Sequence, residues 1–432
     1  MNNSISKATV LFLLALITTQ GAGQNLKLVN GFWFDGKQFE QKDTVYVNEG
    51  FFSNEVPPIL DATLDLSGKY LIPPFVEAHT HNLSSSYGLD AILQAYYKEG
   101  TFYVQVLGCS HEARMDVLEL LASSGSFLES SFSNGGITSS LGHPFMIYEP
   151  LAMGIYDPQT RKNRYQEIIN SRLAQNDAYW FFDTVLDVEQ YWDTLMKTRP
   201  DVIKIMLIDA ENYQQQQKEA TYIGRKGVSP KVAQHVVKKA HAAGLRVFAH
   251  IETANDFRLG LDIGVDVFAH MPGYGYGGTG DLGKYQLTPE DFKRAADQGI
   301  AIIPTAYLAL RRLPRGNAAA KEKALSAILE FQRSFFEAAI QFEIPMALGA
   351  DDFGETLMKE VDYLQDNKLI TNLDLLNMMT ENGAKICYPT RKIGRLKKGY
   401  EASFLALEHD PLKDFRAIKN IVLRIKQGRI LE

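Results

Sequence analysis

Short apolar segments alternate with helical stretches between residues 71 and 390, and this alternation constrains the fold of the chain most strongly. It is typical of a parallel sheet whose strands are buried on both faces. Eight such units predict an α/β fold, a (β/α)8 TIM-like barrel with insertions. The candidate strands are residues 71–77, 101–107, 136–141, 201–207, 245–250, 265–270, 300–305 and 345–350.

Several helices between these strands have recognisable starts. Ser229 is a candidate N-cap for a helix that closes at Gly244. Residues 317–342 form a long amphipathic stretch before the last strand, and residues 371–386 form another, for which Asn372 is a candidate cap.

The two ends of the chain differ from this middle part, because both consist of short strands separated by turns. We therefore expect one small β-sandwich domain built from both ends, with the barrel inserted between them. The predicted division is a signal peptide at 1–23, the first part of the β-domain at 24–70, the barrel at 71–390, and the rest of the β-domain at 391–432.

The first residues have the layout of a secretory signal peptide. Lys7 precedes an apolar run at residues 8–17, and the small and polar residues TTQGAGQ follow it. Cleavage is expected near Gly23, and the run is too short for a comfortable membrane span. We expect an exported protein, periplasmic or secreted, without a membrane span in the mature chain; a buried N-terminal helix is the alternative.

The composition, 45% hydrophobic and 22% charged with a net charge of −6, is that of an ordinary globular protein. It shows no basic surface or motif for nucleic acid, so nucleic-acid partners are not expected. Only Cys109 and Cys387 occur. Two buried thiols are the favoured interpretation, and pairing of the two is left open.

The segment LIPPFVEAHTHN, residues 71–82, ends in His79 and His81. Strand residues two apart share a face, so both imidazoles can reach one metal ion. A single His-x-His is a weak signal, because structural histidine pairs are about as common.

Strand four contains a lysine among apolar neighbours, in the text DVIKIMLID. Lysine is almost never fully buried unless it is paired, so Lys204 either extends to the rim, pairs with Asp209, or serves a function. The functional interpretation is a partly neutral amine that has captured CO₂ and whose carbamate bridges two metal ions.

Strands five and six end in RVFAHIE and VDVFAHM, which place His250 and His270 at matching strand ends. One histidine after an apolar strand is more often structural, but two at matching positions are unlikely to be coincidence. Asp351 and Asp352 follow strand eight in LGADD; Asp352 is a candidate helix cap, which leaves Asp351 to face the site.

These side chains all lie at the carboxyl ends of predicted barrel strands, where barrel enzymes carry their active sites. They are enough for two divalent ions, which can hold a hydroxide at neutral pH and polarise a carbonyl. Asp351 is then the catalytic acid/base that moves a proton from the hydroxide to the leaving amine. Zn²⁺ is the first choice of metal, with Mn²⁺, Fe²⁺ and Co²⁺ as alternatives.

The chain resembles the amidohydrolase superfamily, nearest to its imidazolonepropionase-like and prolidase-like members, over nearly the whole predicted mature chain. The resemblance is carried by LDLSGKYLIPPFVEAHTHN, VIKIML, RVFAHIE, VFAHMPG, LGADD and IGRLKKGYEASFLALEHDPL. It implies one metal held by two strand-one histidines and the strand-eight aspartate, a second held by the strand-five and strand-six histidines, and a carboxylated lysine between them. These positions fall on His79, His81 and Asp351, on His250 and His270, and on Lys204.

The chain departs from the usual text of these relatives around the predicted ligands. Pro73 to Glu77 replace the usual Pro-Gly-Leu-Ile-Asp, and residues 101–105 replace Thr-Thr-Val-Arg-Asp. No ligand is lost, but strand-end loops set the substrate. Three loop residues are candidates for contact with substrate: His143, Tyr276 and Arg311, with Tyr274 and Arg312 beside the last two.

The resulting hypothesis is an exported amidohydrolase that cleaves amide or peptide-like C–N bonds of a small molecule, with dipeptides as the first class to test. A mononuclear deaminase is the nearest rival, because Glu252 follows His250 closely. A cyclic amide or lactone hydrolase would use the same metal centre. A non-enzymatic binding barrel is disfavoured by the intact set of ligands. The oligomeric state, a homo-oligomer included, is left open.

Overall fold

The computed structural model describes residues 23–431, so nearly all of the predicted signal peptide lies outside the described residues. The chain begins with short strands that bury alternate side chains. They are β1 (Leu26–Val29), β2 (Phe32–Phe34), β3 (Phe39–Gln41), β4 (Thr44–Asn48), β5 (Phe51–Ser53), β6 (Ala62–Asp65) and β7 (Tyr70–Ile72).

The middle of the chain alternates strands and helices, as expected. Its strands are β8 (Phe75–Thr80), β9 (Thr101–Val106), β10 (Glu129–Phe132), β11 (Gly136–Thr138), β12 (Tyr179–Phe181), β13 (Ile203–Met206), β14 (Val247–His250), β15 (Val267–Phe268) and β16 (Ala301–Ile302). Its helices are α1 (Leu89–Glu99), α2 (His111–Ser123), α3 (Phe145–Ala152), α4 (Pro158–Asn163), α5 (Tyr165–Asn170), α6 (Val185–Lys197), α7 (Tyr213–Gln216), α8 (Pro230–Ala242), α9 (Ala254–Ile263), α10 (Pro289–Asp297), α11 (Ala318–Gln341), α12 (Met358–Asp366), α13 (Asn372–Asn377) and α14 (Gly383–Cys387).

The middle strands pair only in parallel, in the orders β10-β9-β8 and β12-β11-β13-β14-β15-β16. Every residue of β8, β9, β13 and β14 is buried, which confirms strands covered on both faces. Residues 345–351 form backbone hydrogen bonds with β16 on one side and with β8 on the other. The Ala347 amide donates to the Ile302 carbonyl at 3.1 Å, and the Ala78 amide donates to the Leu348 carbonyl at 2.7 Å.

The chain ends in β17 (Phe404–Leu407), β18 (Ile421–Lys426) and β19 (Arg429–Ile430). These strands join the first ones in a sheet of order β19-β18-β17-β7-β2-β3, beside a second sheet of order β5-β4-β1-β6. The two sheets share one apolar core, to which both ends of the chain contribute. Its members include Leu26, Trp33, Phe52, Phe404 and Ile425.

The prediction of a single strand at 71–77 is wrong, because two prolines divide it. Pro73 and Pro74 separate β7, which pairs with β17, from β8, which pairs with β9. Proline has no N–H to donate to a neighbouring strand, so the chain leaves one sheet at this point and enters another. The short strands β10 and β12 were not predicted, since the serines of β10 and the brevity of β12 hide the apolar pattern.

The predicted helix starts have mixed outcomes. Ser229 caps α8 by accepting from the Val232 amide, and Gly244 follows the helix with a positive φ, as expected. Asn372 is not a cap. Thr371 takes that role, because its hydroxyl accepts the Asp374 amide at 3.1 Å.

The remaining composition-based predictions concern the thiols and the membrane. Cys109 and Cys387 are both buried and unpaired among the described residues, and burial raises the pKa of each thiol to about 12. Between residues 23 and 431, the structure contains no helix that combines the length and the apolar character of a membrane span.

Candidate metal centre

The residues predicted to bind metal come from the ends of several parallel strands. His79 lies in β8 and His81 directly after it, Lys204 lies in β13, and His250 ends β14. His270 follows β15, and Asp351 ends the segment that bonds to β8 and β16. The strand side chains beneath them are buried, so the positions of these groups are held by the core.

Asp351 is the common contact of three of the histidines. Its Oδ1 lies 3.1 Å from His79 Nε2 and 2.9 Å from His81 Nε2, and its Oδ2 lies 3.8 Å from His270 Nε2. Ligand atoms of His79, His270 and Asp351 all lie within 4.8 Å of one another. These separations are suited to a shared cation.

The second ring nitrogens of these histidines also face oxygen atoms. His79 Nδ1 lies 3.0 Å from the Ala269 carbonyl oxygen, and His81 Nδ1 lies 3.1 Å from the Gly108 carbonyl oxygen. A neutral imidazole carries a single N–H, so it cannot donate to an acceptor on both sides. When Nδ1 donates to its carbonyl oxygen, Nε2 of the same ring has no proton left for Asp351. For each ring, either a second proton on Nε2 or a cation between Nε2 and Asp351 must then be present.

Burial decides between these choices for His79. It lowers the pKa of His79 to about 4 and that of His270 well below its usual value, so a second proton is disfavoured at neutral pH. Burial alone would raise the pKa of Asp351, but the adjacent histidines hold it well below its usual range. Neutral imidazoles around an ionised carboxylate are the forms that bind metal. The donor set therefore fits a divalent cation.

Two further atoms in the cluster have no hydrogen-bond partner among the described residues. They are Lys204 Nζ and His250 Nε2, in side chains that are 2% and 4% exposed. Burial lowers the pKa of Lys204 to about 7, and Asp351 opposes the shift only in part. Leaving a buried polar group unpaired is costly, so such atoms indicate a missing partner.

Strain in the backbone accompanies this arrangement. Asp351 and Thr305 have φ values of 48° and 49°, which are uncommon for residues other than glycine. They are rarest for a β-branched residue such as Thr305. The Thr305 hydroxyl donates to the Pro304 carbonyl at 2.8 Å, which leaves its oxygen to accept from His270 Nδ1 at 2.7 Å. Thr305 thereby orients the His270 ring, as residues behind metal ligands commonly do.

The residues predicted to contact substrate have different surroundings. The His143 ring lies 4.9 Å from the His250 ring, beside the cluster. Tyr276 lies away from it, against Tyr285 and Phe331, and Tyr274 lies against the cluster instead, stacked on His270 at 4.0 Å.

Arg311 and Asp352 form an ion pair with each other beside the site. Asp352 also accepts from the Tyr307 hydroxyl at 3.1 Å. The prediction that Asp352 caps a helix is wrong, because the next helix, α12, begins only at Met358. Asp352 instead connects the end of the strand-eight segment to the loop after β16.

Sequence reasoning missed two residues that hold the cluster, Thr305 and Tyr148. Thr305 follows an apolar strand, and that position could have indicated it. Tyr274 was named only beside Tyr276, although Tyr274 is the one of the two that stacks on His270. Tyr148 gave no signal; its hydroxyl donates to the Gly108 carbonyl at 2.6 Å and lies 3.2 Å from His81 Nδ1.

The fold and this cluster define the class of protein: an α/β protein with a candidate metal site at the ends of parallel strands. The sequence profile of the Amidohydrolase family matches residues 70–431, and the chain belongs to that family. Members are typically metal-dependent, and the chain is a hydrolase that acts on carbon–nitrogen bonds. A search of curated proteins finds no match.

Solved structures of similar fold include hydrolases with low sequence identity to this chain. A Xaa-Pro dipeptidase with bound methionine in the active site is 18% identical, with a TM-score of 0.67 over 94% of this chain and 100% of that chain. The A. niger ochratoxinase is 16% identical, with a TM-score of 0.68 over 95% and 96%. Molinate hydrolase is 15% identical, with a TM-score of 0.68 over 95% of each chain. At these identities the likeness shows the fold.

Proposed function

We propose that this chain is an exported, metal-dependent amidohydrolase that cleaves amide or peptide-like C–N bonds, with dipeptides as its first substrate class. The observation that carries this proposal is the buried Nζ of Lys204, which lies among the histidines and Asp351 and has no hydrogen-bond partner within residues 23–431. A lysine amine that is partly neutral near pH 7 can add CO₂, and the resulting carbamate is a bridging ligand.

The proposed ligand sets are those that the resemblance to the amidohydrolase superfamily implies, and the contacts of Asp351 with His79 and His81 support the first set. His79, His81 and Asp351 would hold one divalent ion, and His250 and His270 would hold a second. The carboxylated Lys204 would bridge the two. When bound, such ions polarise the scissile carbonyl and lower the pKa of water. Zn²⁺ suits these nitrogen and oxygen ligands and is our first choice.

Asp351 is the proposed acid/base. Its Oδ1 is shared by His79 and His81, whereas Oδ2 has only the 3.8 Å contact with His270. Oδ2 is therefore the oxygen that accepts a proton from the attacking water and passes it to the leaving amine nitrogen. The low pKa of Asp351 keeps its carboxylate ionised, which is the form that can accept a proton.

Support for the substrate class comes from the hydrolases of similar fold, one of which is named a Xaa-Pro dipeptidase. The ochratoxinase and molinate hydrolase names keep other amide-like substrates in the test panel. A mononuclear deaminase is the second candidate, because Glu252 Oε1 lies 3.6 Å from His250 Nε2. Lys204 argues against it, since a single ion needs no bridge.

The first experiment measures metal per chain by elemental analysis, in protein purified with bicarbonate. Wild type is compared with Lys204→Ala and with Lys226→Ala, a second buried lysine whose Nζ already bonds Gln217 at 3.1 Å. We expect about two ions in wild type and in Lys226→Ala, and fewer in Lys204→Ala. A dipeptide library is then screened with the loaded enzyme.

Other outcomes would count against the proposal. One ion per chain, unaffected by loss of Lys204, would favour the deaminase, and aminated heterocycles would become the substrates to test. Two ions without turnover of any dipeptide would retain the metal centre and reject the substrate class.

The finer architecture belongs to the same proposal. We infer that residues 345–351 close the β/α strands into a barrel, and that the terminal sheets form a β-sandwich with boundaries near residues 70 and 390. The hydrogen bonds on both sides of residues 345–351 support the first inference, and the shared apolar core supports the second. Export is tested by N-terminal sequencing of secreted protein, which should begin near Gln24.

A further inference from the structure

The carboxylate of Glu360 is buried between α12 and the loop that follows β16, and the side chain is 0% exposed. Its Oε1 accepts from the Ala306 amide at 2.7 Å, and its Oε2 accepts from the Tyr307 amide at 2.8 Å. These two amides open the 3₁₀ helix Ala306–Arg312, and the first N–H groups of a helix have no partner within it. Both oxygens of Glu360 are therefore used by consecutive amides of one loop.

A second buried side chain holds the same loop from α11. The Nε2 of Gln332 donates to the Ala306 carbonyl at 2.8 Å. The Tyr363 hydroxyl, which lies in α12 like Glu360, donates to Gln332 Oε1 at 2.6 Å. Ala306 is thus bound through its N–H by α12 and through its C=O by α11. Because the two helices are themselves joined, the loop is held at a defined position.

The residues that flank this alanine contact the supports of two predicted metal ligands. Thr305 precedes it, and the Thr305 Oγ1 lies 2.7 Å from His270 Nδ1. Tyr307 follows it, and the Tyr307 hydroxyl donates at 2.8 Å to the carbonyl of Ala350, the residue before Asp351. A shift of residues 305–307 would therefore disturb two ligands that come from different strands.

We propose that Glu360 is a positioning residue of the metal centre, which fixes His270 through Thr305 and Asp351 through Tyr307. The inference rests on the proposed function and adds to that site a residue that is itself not a ligand. Residues behind metal ligands set the orientation of those ligands, and their loss commonly weakens metal binding by about 10- to 100-fold.

The substitution Glu360→Gln tests the two-amide contact with little change in volume. A carboxylate accepts from both amides at once, whereas a glutamine side chain has one acceptor oxygen and one NH₂ group. The variant would therefore place an N–H donor against one of the two backbone N–H groups, and the loop would have to shift. Glu360→Asp keeps two acceptor oxygens and serves as the conservative variant.

The experiment measures Zn²⁺ affinity of the metal-stripped protein in bicarbonate buffer, by competition with a chromophoric chelator. Glu360→Gln should weaken the affinity by about 10- to 100-fold, and Glu360→Asp should recover part of the loss. The control is Glu401→Gln, the same change at another buried carboxylate, which accepts from Lys426 at 3.0 Å in the terminal sheets. It should keep the wild-type Zn²⁺ affinity even though it lowers the stability of the fold.

A second measurement separates ligand positions from stability. The visible absorption of Co²⁺-loaded protein reports the geometry of the ligands, so it should change in Glu360→Gln and stay unchanged in Glu401→Gln. Tyr307→Phe removes only the hydroxyl that bonds Ala350 and should weaken Zn²⁺ binding by less than about 10-fold. In the double variant the two losses should not multiply, because both changes act on the same loop.

Several results would overturn the inference. Wild-type Zn²⁺ affinity with an unchanged Co²⁺ spectrum in Glu360→Gln would do so, as would an equal loss of affinity in Glu401→Gln. If Glu360→Gln did not fold, wild-type affinity in Tyr307→Phe would still reject the inference. If the wild-type protein bound no Zn²⁺ or Co²⁺, the proposed metal centre itself would fail, and the inference with it.

Discussion

Two buried clusters of charged residues differ in how completely they are paired. In the first, Lys204 is 2% exposed and its Nζ has no partner among the described residues. In the second, Glu401 is 4% exposed and accepts from Lys426 at 3.0 Å, from Arg391 at 2.6 Å and from the Tyr103 hydroxyl at 2.6 Å. We call these the Lys204 cluster and the Glu401 cluster.

The Glu401 cluster connects the terminal strands to the middle ones. Lys426 lies in β18 and Tyr103 in β9, and Glu129 of β10 completes the cluster by accepting from Lys426 at 2.5 Å. Every charge in the Glu401 cluster has a partner of opposite sign, so we expect changes in this cluster to alter the stability of the fold. The Lys204 cluster leaves polar atoms unpaired at a cost, which is expected of a site kept for a ligand.

The largest expected effect is on catalysis in the Lys204 cluster. Asp351→Asn should lower kcat by about three orders of magnitude or more, because the amide cannot accept the proton. Asparagine tolerates the left-handed backbone at this position, so the free energy of unfolding should change little. Steady-state kinetics measures the first effect, and urea denaturation measures the second. Near-wild-type turnover would remove Asp351 from the acid/base role.

The next effect is on stability in the Glu401 cluster. Glu401→Gln should lower the free energy of unfolding by about 3 kcal/mol, because Lys426 and Arg391 are then left with Glu129 as their one shared carboxylate in the cluster. Urea denaturation measures the change, and kcat of the folded enzyme should not respond. The control is Lys293→Ala, which breaks an exposed pair with Asp297 and should leave the free energy of unfolding nearly unchanged. Equal losses in both variants would refute the contrast.

Substitution of Lys204 is expected to increase stability, whereas substitution of Glu401 is expected to lower it. In enzyme stripped of metal, Lys204→Met should raise the free energy of unfolding by about 1–3 kcal/mol, since it removes a buried, unpaired amine. The gain should be largest below pH 7. It should shrink above that pH, because the folded pKa lies near 7 and the usual value is 10.5. Denaturation of the metal-free proteins is the measurement, with Lys226→Met as the control. A loss of stability would show that Lys204 supports the fold.

The smallest effect is the acid dependence of the Glu401 cluster. Burial would raise the pKa of Glu401, but Lys426, Ser403 and Tyr103 outweigh it and lower the pKa to about 2 from 4.5. Its contribution to stability is therefore fully present above about pH 4.5 and is lost as pH falls towards 2. The difference in free energy of unfolding between wild type and Glu401→Gln should narrow in this pH range, by at most about 1.4 kcal/mol per pH unit. A difference constant from pH 6 to 2.5 would contradict this shift.

The sequence predicted the parallel middle sheet because apolar strands repeat between helices. It also indicated the candidate ligands, because each follows or ends such a strand. It failed at Pro73 and Pro74, where an unbroken apolar run crosses from one sheet to another. It also missed β10, whose two serines interrupt the apolar pattern.

By itself, the sequence determined which chemical groups the strand ends carry and in what order they occur. Only the tertiary structure decided between other neighbours of the same type: Tyr274 rather than Tyr276 stacks on His270, and Arg311 rather than Arg312 pairs with Asp352. Adjacent residues share composition and approximate position but point in different directions. Packing against distant elements sets those directions, as Phe331 does for Tyr276.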